Sequence, residues 1–279
     1  MDGCGDYVLV RGLIAILICL GWLNANAQLV ISSSQRRPVV VSASADPYYY
    51  DTSTNAGQWL FTLEDGTNYL DSSGNDIDME SLPSFGLGAT QIPRTNQEGD
   101  VTYSLFFDES DDILSAGDVL DIRTNDMCLA IWAKTTNTSQ YGSLITKAEA
   151  SGRTGRYALQ MQAIDGGKIH ALLDDGNAKE VISTNTYIDG VWHYIVANYE
   201  RGVNITIWVD GVLQAASATI NTDDLNTPMP LQIGGYNNIN PWGGELDSPL
   251  VRYGLMGTNE MAQRILYTNP TNDLIKVTP

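Results

Sequence analysis

From Gln58 onward the chain repeats one unit, a strand-length run followed by a turn signal. The runs include QWLFTL, VTYSLFF, MCLAIWAKT, GSLITKA, YALQMQAI, KIHALL, KEVIST, WHYIVANY, NITIWV, VLQAASATI, PLQIGG and PLVRYG, and from Met127 onward they begin roughly 10–20 residues apart. Asp-Gly pairs at 165–166, 175–176, 189–190 and 210–211 supply the residues that tight hairpins require. Spacings this short leave no room for crossover helices, so the chain is expected to form a many-stranded antiparallel sandwich of two sheets. One helical pattern stands near the end, TNEMAQRILYT. Thr258 is placed to cap it, and Met261, Ile265 and Leu266 are expected to line one face.

The stretch Gly190–Gly211 shows how the strands distribute their side chains. Trp192, Tyr194, Val196 and Asn198 alternate with His193, Ile195, Ala197 and Tyr199. On the next run Ile205, Ile207 and Val209 oppose Thr206 and Trp208. Both faces are largely apolar or aromatic, as in a central strand pair. One face is expected on the core and the other on a concave surface.

The N-terminus carries an address. Arg11 precedes the apolar run Leu13–Leu23, and Ala25-Asn26-Ala27 follows with the small residues of a peptidase site. The run is shorter than the ~20 residues of a membrane span. Residues 1–27 therefore read as a signal peptide, with a cleavage site after Ala27, of a secreted or cell-surface protein with no stable membrane span once cleaved; the alternative is an uncleaved anchor or a buried apolar segment. Residues 28–57 are rich in Ser, Pro and small residues and read as a linker or N-terminal arm, with one β-like run at Pro38–Val41 and a Tyr48-Tyr49-Tyr50 cluster suited to a protein partner. The domain itself is placed at 58–269 and a tail at 270–279. Of the three cysteines, Cys4 and Cys19 precede Ala27, so the mature chain would keep Cys128 alone, in the apolar run MCLAIWA, as a buried thiol. The net charge of −18 excludes nucleic acid as a partner and disfavours an anionic membrane surface.

Several stretches carry a family resemblance, in consistent order from Gln58 to Tyr267: YLDSSGNDID (69–78), SLFFDESDDIL (104–114), MCLAIWAKT, IDGVWHYIVANYE, ITIWVDGVL, LQIGG, and GGELDSPLVRYG followed by TNEMAQRI. Together they resemble the laminin-G-like, concanavalin A-like jelly-roll domains. The resemblance implies an all-β jelly-roll sandwich with one short C-terminal helix. It makes the Trp192-His193 strand a scaffold signature rather than a catalytic pair, with Trp192 filling the core. Glu109 departs from the family pattern, which has Gly there, and Ser248-Pro249 replaces Glu-Val. A Pro within a strand implies an edge or a bulge.

Candidate sites follow from residue chemistry. The loop Gly234–Gly244 offers Tyr236, Asn237, Asn238, Asn240 and Trp242, aromatics and amides of the kind that hold sugars. The opposing reading is an Asn/Pro/Gly turn with a Trp tucked under it. Hard cations require clustered oxygens. Asp71, Asn75, Asp76 and Asp78 lie in one turn, and Asp108, Asp111, Asp112 and Asp247 could lie nearby, so Asp71, Asn75, Asp108 and Asp247 are the candidate ligands of a structural Ca²⁺. The opposing reading is a turn whose side chains bond its own backbone. No catalytic residue is assigned. Some jelly-roll glycosidases carry E-x-D-x-x-E, and here Glu245 and Asp247 are present but position 250 is Leu. Neither histidine, His170 or His193, sits in a hydrolase motif. The expectation is a secreted, non-catalytic recognition module for a glycan or glycoprotein, assisted by Ca²⁺. Two alternatives stand beside it: a virion or cell-surface decoration protein assembling through its arm, and a degenerate glycosidase.

Overall fold

The computed structural model describes residues 28–33, 36–42, 55–63, 68–71, 75, 77–81, 90–95, 101–137, 141–148, 155–236 and 240–270. The expected signal peptide and residues 271–279 lie outside them. The chain divides into two compact units, Met1–Asp46 and Pro47–Pro279. In the first, β1 (Gln28–Ser33) and β2 (Arg36–Ser42) pair antiparallel, with Leu29 opposite Val41 and Ile31 opposite Val39. The segment read as an arm thus contains a hairpin, not one β-like run.

The second unit holds β3 (Asn55–Leu63), β4 (Asn68–Asp71), β5 (Met79–Ser81), β6 (Thr90–Thr95), β7 (Val101–Asp108), β8 (Leu114–Ser115), β9 (Met127–Lys134), β10 (Tyr141–Lys147) and β11 (Arg156–Gln162). It continues with β12 (Lys168–Asp174), β13 (Lys179–Thr186), β14 (His193–Glu200), β15 (Asn204–Val209), β16 (Val212–Ala216), β17 (Leu231–Ile233), β18 (Gly243–Tyr253) and α1 (Thr258–Thr268). One sheet runs β6-β7-β18-β9-β14-β15-β16, and the other β13-β12-β11-β10-β17-β8-β5-β4. β3 joins them: Gln58 and Gly57 pair with Leu250 and Val251 of β18, while Trp59 and Leu63 pair with Asp71 and Tyr69 of β4. Every pairing among the named strands is antiparallel, as the turn spacing required.

The core lies between the sheets. Leu129, Ile131, Ile195, Ala197, Tyr199, Ile205 and Ile207 face Ile145, Leu159, Ile169, Ala171, Leu173 and Ile233, all fully buried. Each large aliphatic side chain so buried contributes about 1.5–3 kcal/mol. Tyr199 is accommodated because its hydroxyl donates to Ala158 O at 2.8 Å.

The opposite face of β14 and β9 differs from expectation. Trp132, Trp192, Tyr194, Val196 and Leu250 form a second apolar cluster with Met256 and Met261, and Ile265 packs against it. Helix α1 therefore covers this face, and it is not an open concave surface. Trp192 belongs to this outer layer rather than to the main core. The helix is held by Asn198, whose side chain donates to Met256 O and accepts from Met256 N–H, both at 2.9 Å. Trp132 Nε1 donates to Thr268 Oγ1 at 2.8 Å. Thr258 is the first helical residue, not the cap; Gly257 takes the cap position without a side-chain bond. Leu266 is 48% exposed, because it sits about 100° around the helix from Ile265.

Two local signals resolve in detail. Asp210 and Gly211 both adopt positive φ, 52° and 77°, the geometry of a two-residue hairpin turn between β15 and β16. Asp189-Gly190 does not close a hairpin: β13 and β14 lie in different sheets, and the pair makes the crossing between them. At Ser248-Pro249 the register of β18 against β9 shifts between Asp247 and Leu250, and Ser248 has φ 48°. This is a bulge in a central strand, where Pro is tolerated because the extra residue leaves the ladder.

Candidate functional site

Loops from both sheets converge beside the N-terminal end of β18. Asp108 pairs with Gly243, and Glu109 N–H donates to Trp242 O at 3.0 Å. Ser143 N–H donates to Asn240 O at 3.0 Å, and Trp242 N–H to Gly234 O at 2.7 Å. Thr135 Oγ1 donates to Gly243 O at 2.5 Å, and Gly190 N–H to Thr135 O at 2.9 Å. These bonds assemble a shallow, narrow cleft whose volume is only ≈ 10 Å³; Thr135, Asn137, Met161, Ile188, Pro241 and Trp242 are among its walls.

The Trp242 indole sets the shape of this cleft. It is 2% exposed and its Nε1 has no hydrogen-bond partner. Its benzo edge crosses Gly142 so closely that a Cβ there would lie 2.5 Å from Cε3. Trp242 is therefore a wall, not an open stacking platform. Tyr236 and Asn240 are half-buried; Asn237 and Asn238 lie outside the described residues.

The acidic candidates separate. Asp108, Asp111 and Asp112 each bring one carboxylate oxygen within 4.8 Å of the others. No other group of three His, Cys, Asp or Glu meets that spacing among the described residues. Asp108 Oδ1 also accepts from Ser110 N–H at 2.8 Å, and Asp112 Oδ2 from Asp108 N–H at 2.9 Å. Asp112 is 5% exposed, and burial raises its pKa; the bond from Asp108 N–H opposes this, and the charges of Asp108 and Asp111 add to it. Glu109, in the position where the family pattern has Gly, adopts φ 68°, a conformation that favours glycine. Asp71 is occupied within its own turn: it accepts from Gln58, Asn75 and Ile77 N–H at 3.0, 3.3 and 3.3 Å. Asp78 Oδ1 accepts from Asp71 N–H at 2.9 Å. Asp247 is buried at 8% exposure on β18 and accepts from Ser248 Oγ at 2.9 Å. Asp71 and Asp247 thus do not join Asp108 in one cluster, whereas Asp111 and Asp112 do.

The histidines and the strand carboxylates are also accounted for. Glu245 takes Lys134 Nζ at 2.8 Å on one oxygen and Ser104 Oγ at 3.0 Å on the other. Leu250, where a third acid would stand, is 1% exposed in the layer beneath α1. His193 is bonded by Asp189 and Asp210, and His170 by Glu180. Sequence reasoning placed Tyr236–Trp242 and Asp108 in separate sites; the β7–β18 pairing makes them neighbours. It missed Thr135, Asn137, Met161 and Ile188, which come from three segments with no shared motif.

A family model described as the concanavalin A-like lectin/glucanases superfamily matches residues 108–252. The chain belongs to that superfamily. No match was found among curated protein sequences. Similar solved structures include the binding domain of Paraclostridial Mosquitocidal Protein 1, at TM-score 0.59 and 12% identity over 78% of this chain and 53% of that one. Domain 4 of AbnA, an extracellular arabinanase from Geobacillus stearothermophilus, solved with arabinotriose, matches at TM-score 0.57 and 14% identity over 75% of this chain and 97% of that one. The botulinum neurotoxin serotype G binding domain matches at TM-score 0.57 and 13% identity over 77% and 51%. This chain thus spans about half the length of the two toxin fragments. At these identities the likeness is one of fold, and the superfamily's description names both lectins and glucanases.

Proposed function

We propose that this protein is a secreted, non-catalytic recognition module that binds a neutral glycan or glycoprotein at the loop-end cleft, with Ca²⁺ held beside it by Asp108, Asp111 and Asp112. The observation that carries the reading is the convergence of the cleft and the acidic cluster on one end of the sandwich. A sugar ring needs apolar walls and a few polar groups. Met161, Ile188 and Pro241 supply the first, and Thr135 and Asn137 the second. The net charge of −18 favours a neutral ligand over an acidic one.

The donor set suits a hard cation: three carboxylates crowd together, and their mutual repulsion is relieved by a divalent charge. Backbone carbonyls and water would complete the six to eight oxygens that Ca²⁺ requires. Against catalysis, Glu245 is engaged by Lys134 and Ser104, and a retaining glycosidase needs a second free carboxylate about 5 Å away. The likeness to a domain solved with arabinotriose agrees with a glycan ligand but does not name one.

The test is a glycan array probed with the full chain in Ca²⁺ and again in EDTA. Binding weakened by EDTA and by Asp111→Asn supports the reading. Binding unaffected by EDTA removes calcium from it. Absence of binding in both conditions rejects the glycan and leaves a protein partner. Release of reducing sugar, lost in Glu245→Gln, would overturn the non-catalytic assignment.

A further inference from the structure

The chain has two histidines, and each stands between two carboxylates. His193 opens β14, with Nδ1 2.7 Å from Asp210 Oδ2 and Nε2 3.2 Å from Asp189 Oδ1. Its ring meets Tyr187 edge-on, centroids 4.9 Å apart. The same two carboxylates serve the backbone: Asp210 Oδ1 accepts from Tyr194 N–H and Asp189 Oδ1 from Val191 N–H, both at 2.9 Å. His170 on β12 has Nδ1 2.8 Å from Glu180 Oε1 of β13. Its Nε2 lies 3.1 Å from Asp165 Oδ2 in the β11–β12 turn, out of line for a hydrogen bond.

The two bridges fasten segments that touch each other. Tyr187 N–H donates to Gly167 O at 2.9 Å, so the β13–β14 crossing lies against the β11–β12 turn. The approach is close, because a Cβ on Gly167 would sit 2.4 Å from Ile188 Cγ2. Ile188 from the crossing and Ala163 from the turn are both walls of the cleft. The His193 bridge holds the crossing to the β15–β16 turn, and the His170–Glu180 bond holds β12 to β13. Both act behind the cleft wall.

A neutral imidazole has one N–H donor, whereas its protonated form has two. His193 faces a carboxylate with each ring nitrogen, so only the imidazolium satisfies both. We propose that the His193 bridge is a pH-sensitive latch on the cleft wall, closed while His193 is protonated and loosened when it loses its proton. Burial pulls the His193 pKa down, but the hydrogen bonds and charges of Asp210 and Asp189 outweigh it and hold the pKa above the ordinary 6.5. The groups facing His193 are Asp189 from the crossing, Asp210 from the β15–β16 turn and Tyr187; the charged ones are both anionic. The latch exists whether or not a glycan binds, and only its regulatory meaning rests on the cleft as the binding site.

The test uses the full chain without ligand. Backbone hydrogen exchange is measured at about pH 5.5 and about pH 8.5, corrected for intrinsic rates, together with the NMR titration of the His193 ring. Protection of the Tyr187, Val191 and Tyr194 amides is expected to fall about tenfold at the higher pH while β9 amides hold. Asp210→Asn keeps the acceptor for Tyr194 N–H and removes the charge. It is expected to lower the His193 midpoint and flatten the pH dependence. Equal protection at both pH values, or a loss shared by β9, overturns the proposal. So does a His193 midpoint at or below 6.5. If Asp210→Asn does not fold, the wild-type titration and exchange decide alone.

Discussion

Replacing Glu260 by Gln should release helix α1 from the sheet. Glu260 is 4% exposed and its Oε1 accepts from Arg252 Nη1 of β18 and from Arg264 Nε, the latter at 3.0 Å. Arg252 and Arg264 are themselves 7% and 4% exposed, so one carboxylate balances two buried guanidiniums. Glutamine preserves the shape and one acceptor but removes the charge. Breaking a buried ion pair by removing one partner costs about 3–5 kcal/mol. The retained acceptor places the expected loss near the lower figure, about 3 kcal/mol. At about 2–4 °C per kcal/mol for a domain of this size, the melting temperature falls by roughly 6–12 °C. Urea unfolding followed by tryptophan fluorescence measures this directly, with a lower midpoint at unchanged slope. Cys128 offers a second readout. It is fully buried in the layer that α1 covers, and burial pushes its pKa up to about 12. Loosening α1 should speed its reaction with thiol reagents. A loss below about 1 kcal/mol, the range of an exposed pair, would refute the reasoning. So would an Arg252→Met, Glu260→Leu, Arg264→Met triple variant as unstable as Glu260→Gln. Replacing a whole buried ionic group by apolar residues should be nearly neutral.

Other outcomes can be checked with the same instruments. Gly142→Ala puts a methyl 2.5 Å from Trp242 Cε3 and should cost about 1–3 kcal/mol by urea unfolding, with the cleft wall displaced. Asn198→Ala strands a buried N–H and C=O of Met256 and should cost about 2–6 kcal/mol, from about 1–3 kcal/mol for each unsatisfied group. The raised pKa of His193 means that its contribution to stability is fully present below 6.5 and is lost as pH rises through the folded-state value. The urea midpoint should therefore fall on the alkaline side, and less so in Asp210→Asn. Added Ca²⁺ should raise the melting temperature of the wild type, and Asp111→Asn should abolish that rise; a shift equal in both proteins would place the ion elsewhere.

Much of the sandwich was legible because its causes are local. The apolar runs MCLAIWAK and WHYIVANY, the Asp210-Gly211 turn, the bulge at Ser248-Pro249 and the C-terminal helix each depend on residues within a few positions of one another. The errors have a common source. Asp189-Gly190 looks like a hairpin turn until the chain is seen to change sheets there. The outer face of β14 looks like an open surface because nothing near Trp192 announces that α1, some sixty-five residues later, will cover it. The metal candidates failed to meet for the same reason: Asp71 spends its oxygens on Gln58, Asn75 and Ile77 N–H groups, and only strand pairing decides that Asp108 neighbours Gly243.

The sequence by itself determined that this chain would be an antiparallel sandwich, since period-two patterning and Asp-Gly turns act through the backbone of adjacent residues. Which residues wall the cleft was decided only by tertiary structure. Thr135, Met161, Ile188 and Trp242 stand tens of residues apart, and their proximity depends on how the strands pair and cross.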